Sequence, residues 1–381
     1  MTRIYAYYVL SAAGVACFTV VDVVYFQALG YSLAFVGVMT SAFSIAVAAT
    51  ELPFAVVFDR YSNKLALQVG NFVRIAAFSL FFLNLSPTLL ITAQVLAGIA
   101  VAALSGTSNA LIINQLPNAD ANSISRTFGR LEYLGGGAAI LAGLLGLWLF
   151  QISPELIWLG AIGLYALATM VVFLFKDAAA EAQQVPWKQY LRDAGGVING
   201  PYTLIYIVTN ACAVAPFLLW QVKFDMVSLG FIFVGFFVMN ATSVLAPSLL
   251  RFIKISPSRV MILAALNAIA TLLFAFLDQP VLIVASFLLH VGLQILQTIV
   301  VAGLFHERIG NNYRATSESL VSMADSVIVA IVAPITMIIG DRWGVEWAIT
   351  CSIALYAVCV VLVAAGPMRT SRRQPVMKEV P

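Results

Sequence analysis

The stretch IAAFSLFFLNLSPTLLITAQVLAGIAVAALSGTSNALIINQLPNA, Ile75 to Ala119, contains no Asp, Glu, Lys or Arg. An apolar helix needs roughly 20 residues to cross about 30 Å of hydrocarbon, so this one stretch accommodates two spans with a break near Pro87. The same texture extends outward in both directions. Of 381 residues, 62% are hydrophobic and 10% charged, where a soluble domain carries about a quarter charged. The apolar residues come in uninterrupted blocks, not in the stripe of a half-buried helix. The chain is therefore a polytopic membrane protein, and a soluble enzyme, a DNA-binding protein and a secreted scaffold are excluded. Arg3 and the run after it resemble the start of a signal peptide, but the apolar stretch continues to about Ala28 and reads as the first span. Cys17, Cys212, Cys351 and Cys359 each sit in an apolar run without Cys-x-x-Cys or Cys/His spacing. That pattern predicts small core residues, not a disulfide framework or metal site.

Cutting where charges, Pro, Asn and Gly cluster gives twelve helices. The first six are 5–28, 33–57, 66–86, 88–115, 127–150 and 154–175; the second six are 199–222, 228–253, 257–277, 280–306, 313–340 and 342–366. Helix is the only viable choice, because backbone polar groups in lipid must be satisfied within the segment. An even number of spans puts both termini on one side. Eighteen of the 20 Lys and Arg then fall in the loops of that side, leaving only Lys223 and Arg342 on the other. Basic residues concentrate in cytoplasmic loops, so both termini are expected in the cytoplasm. The net charge of +3 reads as a topogenic signal, with no nucleic acid as partner.

The loops divide the chain in two. Residues 1–175 are expected to form one six-helix bundle, 176–198 a cytoplasmic linker, 199–366 a second bundle and 367–381 a cytoplasmic tail. In the linker, Trp187, Tyr190, Leu191 and Ala194 share a helical face beside Lys188, Arg192 and Asp193, which suits either an interfacial helix or a plain connector. The halves echo each other: Arg126 opens span five and Arg314 opens span eleven after similar polar turns. Duplicated six-span halves are the plan of many secondary transporters, with the ligand site near the midplane between them.

The segment Glu51-Leu52-Pro53-Phe54-Ala55-Val56-Val57-Phe58-Asp59-Arg60-Tyr61-Ser62-Asn63-Lys64 resembles the Gly-x-Leu-x-Asp-Arg-x-Gly-Arg-Arg/Lys hallmark of the major facilitator superfamily, preceded by the Glu-Ile-Pro-type element of its bacterial efflux-like members. Ser105-Gly106-Thr107-Ser108-Asn109-Ala110-Leu111-Ile112 is similar to a second element of that subgroup, and Arg314-Ala315-Thr316 to the counterpart in the second half. The resemblance spans essentially the whole chain. It implies an all-α fold of two pseudo-symmetric six-helix bundles in a bacterial inner membrane, working as a monomer without cofactors. It also implies a cytoplasmic gate at Asp59, Arg60 and Lys64, with Arg130 and Glu318 as further gate charges. The departures are specific. Ala55, Ser62 and Asn63 replace the hallmark's glycines and middle arginine, Asn109 and Asn114 replace acidic residues, and span five has Gly135, Gly136, Gly137, Gly143 and Gly146 but lacks the antiporter motif's proline.

An ionisable group in a membrane span is expensive, by at least about 2.5–3.5 kcal/mol on insertion scales, and reads as functional by default. Asp22 is the only formal charge between Arg3 and Glu51. A carboxyl in low dielectric keeps its proton more readily than in water, so Asp22 is expected to carry a proton or contact a cationic substrate. Asp325, His290 and Glu132 are the other coupling candidates. Phe18 and Tyr25 flank Asp22 at helical spacing and, with Gln294 and Asn210, are candidate cavity residues, the aromatic pair suiting a lipophilic cation. Glu51 and Arg74 lie at similar depth and are expected to form a structural ion pair.

These readings favour a proton-coupled secondary transporter that exports a small organic molecule by alternating access; a nutrient symporter is the rival and a non-transporting sensor the weaker third. The chain lacks Gly-x-Ser-x-Gly, His-Glu-x-x-His and phosphate-binding glycine motifs, which argues against an enzyme or an ATP-driven pump. A carboxylate at a helix N-terminus is favoured by roughly 0.3–1 kcal/mol, so Asp59 is expected to latch onto span eleven. Asp59→Asn should therefore shift the resting state towards inward-facing, and unchanged accessibility of a cysteine probe in the outer cavity would refute it.

Overall fold

The computed structural model describes residues 2–58, 63–104, 121–175, 201–307 and 314–365, except for the side chains of residues 52, 55–58, 63, 121–125, 201 and 314–319. Asp59, Arg60, the Ser105 to Ile112 element, Asn109, Asn114, the linker and the tail lie outside the described residues, as does the side chain of Glu318.

Twelve helices among the described residues are long and apolar enough to cross a bilayer. The first half comprises α1 (Thr2–Ala28), α2 (Leu33–Phe58), α3 (Asn63–Leu83), α4 (Pro87–Leu104), α5 (Ala121–Ile152) and α6 (Leu156–Phe173). The second comprises α7 (Pro201–Asp225), α8 (Phe231–Leu245), α9 (Pro257–Phe276), α10 (Pro280–His306), α11 (Arg314–Trp343) and α12 (Val345–Ala365). We call the face carrying Thr2 and Ala365 the terminal face, and the other the far face.

Local chemistry sets the helix ends. Pro87, Pro257 and Pro280 begin α4, α9 and α10, positions where a missing N–H costs nothing. Asn84 takes a positive φ of 42°, which ends α3 at Leu83, three residues before the sequence-based boundary, because a left-handed residue terminates the hydrogen-bond ladder. The last turn of span eight tightens into a 3-10 helix, Ala246–Phe252, around Pro247. Unexpectedly, α1 is broken. Its helical pieces are Thr2–Thr19 and Asp22–Ala28, with Val21 at φ −141°, although neither proline nor glycine stands at the break.

Within the first half α1 packs on α5 and α6, and α4 on α2 and α3; within the second α12 packs on α7 and α9, and α9 on α10. Each half holds an aromatic cluster. Phe81 stacks on Trp158 at 4.5 Å beside Phe18, Tyr25 and Phe78. Phe274 lies 4.9 Å from Phe287, with Phe224 and Trp220 around them. Large apolar side chains such as Leu141, Trp148, Phe252 and Val281 are exposed on the outside. A water-soluble protein rarely shows such patches; hydrocarbon covers them here.

The halves meet through α2 on α11, α5 on α8 and α1 on α7. Small residues allow the approach: Gly37 of α2 sits against Met337 and Pro334 of α11, and Phe236 of α8 against Gly143 of α5. Inside the first half, a Cβ on Gly98 would stand 2.5 Å from Phe43 O and 2.9 Å from the Ala46 Cβ. Overpacking a close contact costs about 1–3 kcal/mol. Gly98→Val should therefore lower the melting temperature in detergent, whereas Gly163→Ala, which meets nothing within 4 Å, should leave it unchanged; equal effects would contradict this packing.

Candidate functional site

A cleft of about 340 Å³ lies between α1 and α5 of the first half and α8 of the second. Tyr8, Ala12, Val15, Ala16 and Thr19 form one wall, Glu132, Gly135, Gly136 and Ala139 another, and Phe236, Met239, Asn240, Ser243 and Val244 the third. Glu132 is the one formal charge on it among the described residues, and the Tyr8 hydroxyl donates to its Oε1 at 2.5 Å. Asn240 and Ser243 spend donors on their own helix, at Phe236 O (2.8 Å) and Asn240 O (2.7 Å). Their remaining acceptor and donor capacity is available to a solute. Chemically, the cleft offers one carboxylate, one phenol, an amide and hydroxyls in a surround of methyl groups and one aromatic ring.

Polar bonds seal the far side. Asp341 at the far end of α11 accepts the backbone N–H groups of Leu33 (2.9 Å) and Ala34 (2.6 Å), the open N-terminus of α2. A carboxylate is favoured there by the unpaired N–H groups and the helix dipole. Ser41 Oγ donates to Ala330 O at 2.6 Å. On α7, Gln221 bonds to Thr19 O, Asp22 and the Val23 N–H of α1. Nearer the terminal face, Ser322 of α11 donates to Glu51 of α2 at 3.1 Å.

Against this geometry the expected site residues separate into groups. Glu132 is on the cleft. Asp22 is on the far-side seam, bonded to Gln221, and is not among the residues that line this cleft. Phe18 and Tyr25 belong to the aromatic core of the first half; Tyr25 is fully buried and donates to Phe81 O at 3.0 Å. Although the sequence sets them at helical spacing from Asp22, they pack on Trp158 inside their own bundle and not on the seam. Asn210 and Asp325 come together, Nδ2 to Oδ2 at 2.5 Å, joining α7 to α11 within the second half.

His290 and Gln294 lie in a packed polar network of the second half. His290 Nδ1 lies 3.0 Å from Thr271 Oγ1 and 2.8 Å from the Asn267 amide. Gln294 accepts from the Tyr356 hydroxyl (2.9 Å) and donates to Thr209 O (2.8 Å). Both are buried, so they tie α7, α9, α10 and α12 together and do not reach the cleft.

The expected Glu51–Arg74 ion pair is not formed. Arg74 instead donates to the Tyr165 hydroxyl at 2.5 Å and lies 4.8 Å over that ring, while Glu51 turns to Ser322. Phenol and π-face together satisfy the guanidinium inside its own bundle. Arg74 is also well inside α3, so it does not count among the loop cations. Lys64 donates to Phe173 O (3.0 Å) and Phe175 O (2.9 Å), at the end of α6, where a cation meets the negative pole of a helix. Arg130 is exposed.

Sequence reasoning missed Tyr8, Gln221 and Asp341. Tyr8 reads as one aromatic among many in an apolar run. Gln221, polar among Trp220, Val222 and Phe224, carried a signal that weighing formal charges alone passes over.

Comparison with known proteins follows from this architecture. The Major Facilitator Superfamily model matches residues 4–324. No curated protein matches the sequence. Among solved structures, a mutant form of the nucleoside transporter NupG superposes with a TM-score of 0.81 at 15% identity, covering 96% of this chain and 98% of that one. A POT family transporter in complex with 5-aminolevulinic acid gives 0.73 at 11%, covering 95% and 94%. The human organic anion transporter MFSD10 gives 0.62 at 13%, covering 95% and 98%. Identities this low establish the fold alone; the match of the family model along most of the sequence establishes kinship. With twelve spans in two halves around a shared cleft, the chain belongs to the major facilitator superfamily and is a transporter, not an enzyme.

Proposed function

We propose that this transporter exchanges a proton for a small, hydrogen-bonding organic molecule at Glu132, exporting drugs or metabolites by alternating access. Both termini are cytoplasmic in this reading, by the basic loops of the terminal face, the membrane is a bacterial inner membrane, and the chain works as a monomer. The observation that carries the proposal is the Tyr8–Glu132 pair on a cleft walled by both halves. A carboxyl there holds either a proton or the donor group of a solute. Competition for one acceptor sends the two flows in opposite directions, which is the requirement of antiport. Conformational change then moves the loaded cleft from one face to the other, with the far-side bonds making and breaking. Asp22 becomes part of the seam, and Asp325 with Asn210 a second polar site away from the described cleft.

A second reading has one specific support, the likeness to NupG, described as a nucleoside transporter: import of a nucleoside-like solute together with a proton. Purified protein in liposomes separates the two. An imposed pH gradient should drive cationic dyes or antibiotics against the proton flow in the first case, and uridine with it in the second.

Under either direction, Glu132→Gln keeps the shape and removes the titrating group. It should reduce gradient-driven flux at least about tenfold while substrate exchange without a gradient persists. Tyr8→Phe removes the hydrogen bond to the Glu132 carboxyl and should weaken coupling in the same sense. Full gradient-driven flux in Glu132→Gln would remove Glu132 from the mechanism.

A further inference from the structure

The break in α1 has an unusual cause. An uninterrupted helix would join the Val23 N–H to Thr19 O, four residues back. In this structure both groups bond to one amide from the other half: Gln221 Nε2 donates to Thr19 O at 2.9 Å, and the Val23 N–H donates to Gln221 Oε1 at 2.9 Å. The side chain stands in the place of the missing backbone bond, supplying a donor and an acceptor at its two ends. Gln221 Nε2 also donates to Asp22 Oδ1 at 2.5 Å, and that oxygen receives the Val23 N–H at 3.0 Å. Side-chain insertion into the ladder is a recognised source of kinks, and neither proline nor glycine stands at the break to supply another.

We infer that Gln221 is the latch of the far gate, and that its insertion and withdrawal break and rejoin α1. While the halves are closed on the far side, the amide occupies the Thr19–Val23 bond and the helix is broken. When they part, Gln221 leaves with α7, and the Val23 N–H returns to Thr19 O. Each state gives the Thr19 carbonyl and the Val23 N–H a partner, and leaving either unmade in a membrane interior would be costly. The two states thus differ by an exchange of bonds, the condition for a bistable element. Because Thr19, Ala16, Val15, Ala12 and Tyr8 of the same helix line the cleft, the shape of the cleft changes with the state of the gate. Asp341, bonded to the start of α2, closes the same face but leaves α2 unbroken, so Gln221 is the bond that couples gate to cleft. This inference holds for any solute and either direction of flow.

The test is labelling of a single cysteine at the far seam. Met337 is fully buried against Gly37, so Met337→Cys in a chain without its native cysteines reports opening through its rate of reaction with a soluble maleimide in detergent. Gln221→Leu, similar in volume but lacking the amide, should speed labelling by about tenfold, the scale of one net buried hydrogen bond. Hydrogen exchange on Gln221→Leu combined with Asp22→Ala, which also removes the Asp22 Oδ1 acceptor, should find the Val23 amide still protected, because it rebonds to Thr19 O. Unchanged labelling overturns the latch, and an unprotected Val23 amide overturns the rejoining. Should Gln221→Leu fail to fold, Gln221→Glu serves instead. It loses the donor and faces Asp22 with like charge, so labelling should again accelerate, and adding Asp22→Asn, which restores a donor–acceptor pair, should slow it at least about threefold. Equal rates in the single and double variants overturn the proposal.

Discussion

Hydrocarbon offers no hydrogen bonds, and that constraint organises this molecule. Every backbone N–H and C=O in a span has to find a partner inside the protein. Twelve helices meet most of that demand within themselves. The exceptions are the informative places: the broken segment of α1, where Gln221 of α7 completes the ladder, and the start of α2, where Asp341 of α11 takes two N–H groups. At both, the partner comes from the opposite half. Backbone satisfaction and closure of the far gate are one set of bonds, so the gate cannot open without those groups finding other partners.

The same economy governs the charges. Arg74 spends its guanidinium on Tyr165, Lys64 on the end of α6, and Lys223, almost fully buried, lies 3.3 Å from Asp278 and 3.9 Å from Glu346. Each of these sits within one half and serves to hold its bundle rigid. Such bonds keep each bundle together as one rocks against the other, leaving the break in α1 as the place where the inferred gate changes shape. Glu132 differs from them: its described partner is a single phenol, and it faces a cleft shared by both halves. A carboxyl left with free acceptor capacity at such a place is suited to chemistry that changes during a cycle.

The two halves resemble one another in plan more than in detail. Both bury an aromatic cluster, yet the second also buries a polar web, His290, Asn267, Gln294, Tyr356 and Thr209, with no described equivalent in the first. Its bonds join α7, α9, α10 and α12, although His290 Nε2 is buried without a described partner, and buried polar networks of this kind couple the helices that contribute to them. The second half is accordingly suited to be the more rigid body, against which the broken helix of the first half moves.

Hydropathy and charge read along the chain were sufficient for the number of spans, the helical class and the major facilitator resemblance, because span length and lipid polarity are properties of consecutive residues. Proline and asparagine placed most helix ends for the same reason. The partners of individual side chains were another matter. Asp22 was legible as an anomalous charge, but its position at a seam depends on α7, nearly two hundred residues away in the chain and brought there only by closure of the halves. Glu51 and Arg74 share a depth, which sequence reveals, but face different neighbours, which helix rotation decides. The break in α1 was not read from the sequence, since the bonds that replace its missing rung come from Gln221 of α7, with only the Asp22 carboxyl adding a local one. Sequence by itself determined that this chain crosses a membrane as apolar helices of the major facilitator type; only tertiary structure decided which polar groups meet, because pairing across helices is set by rotation and packing, on which hydropathy is silent.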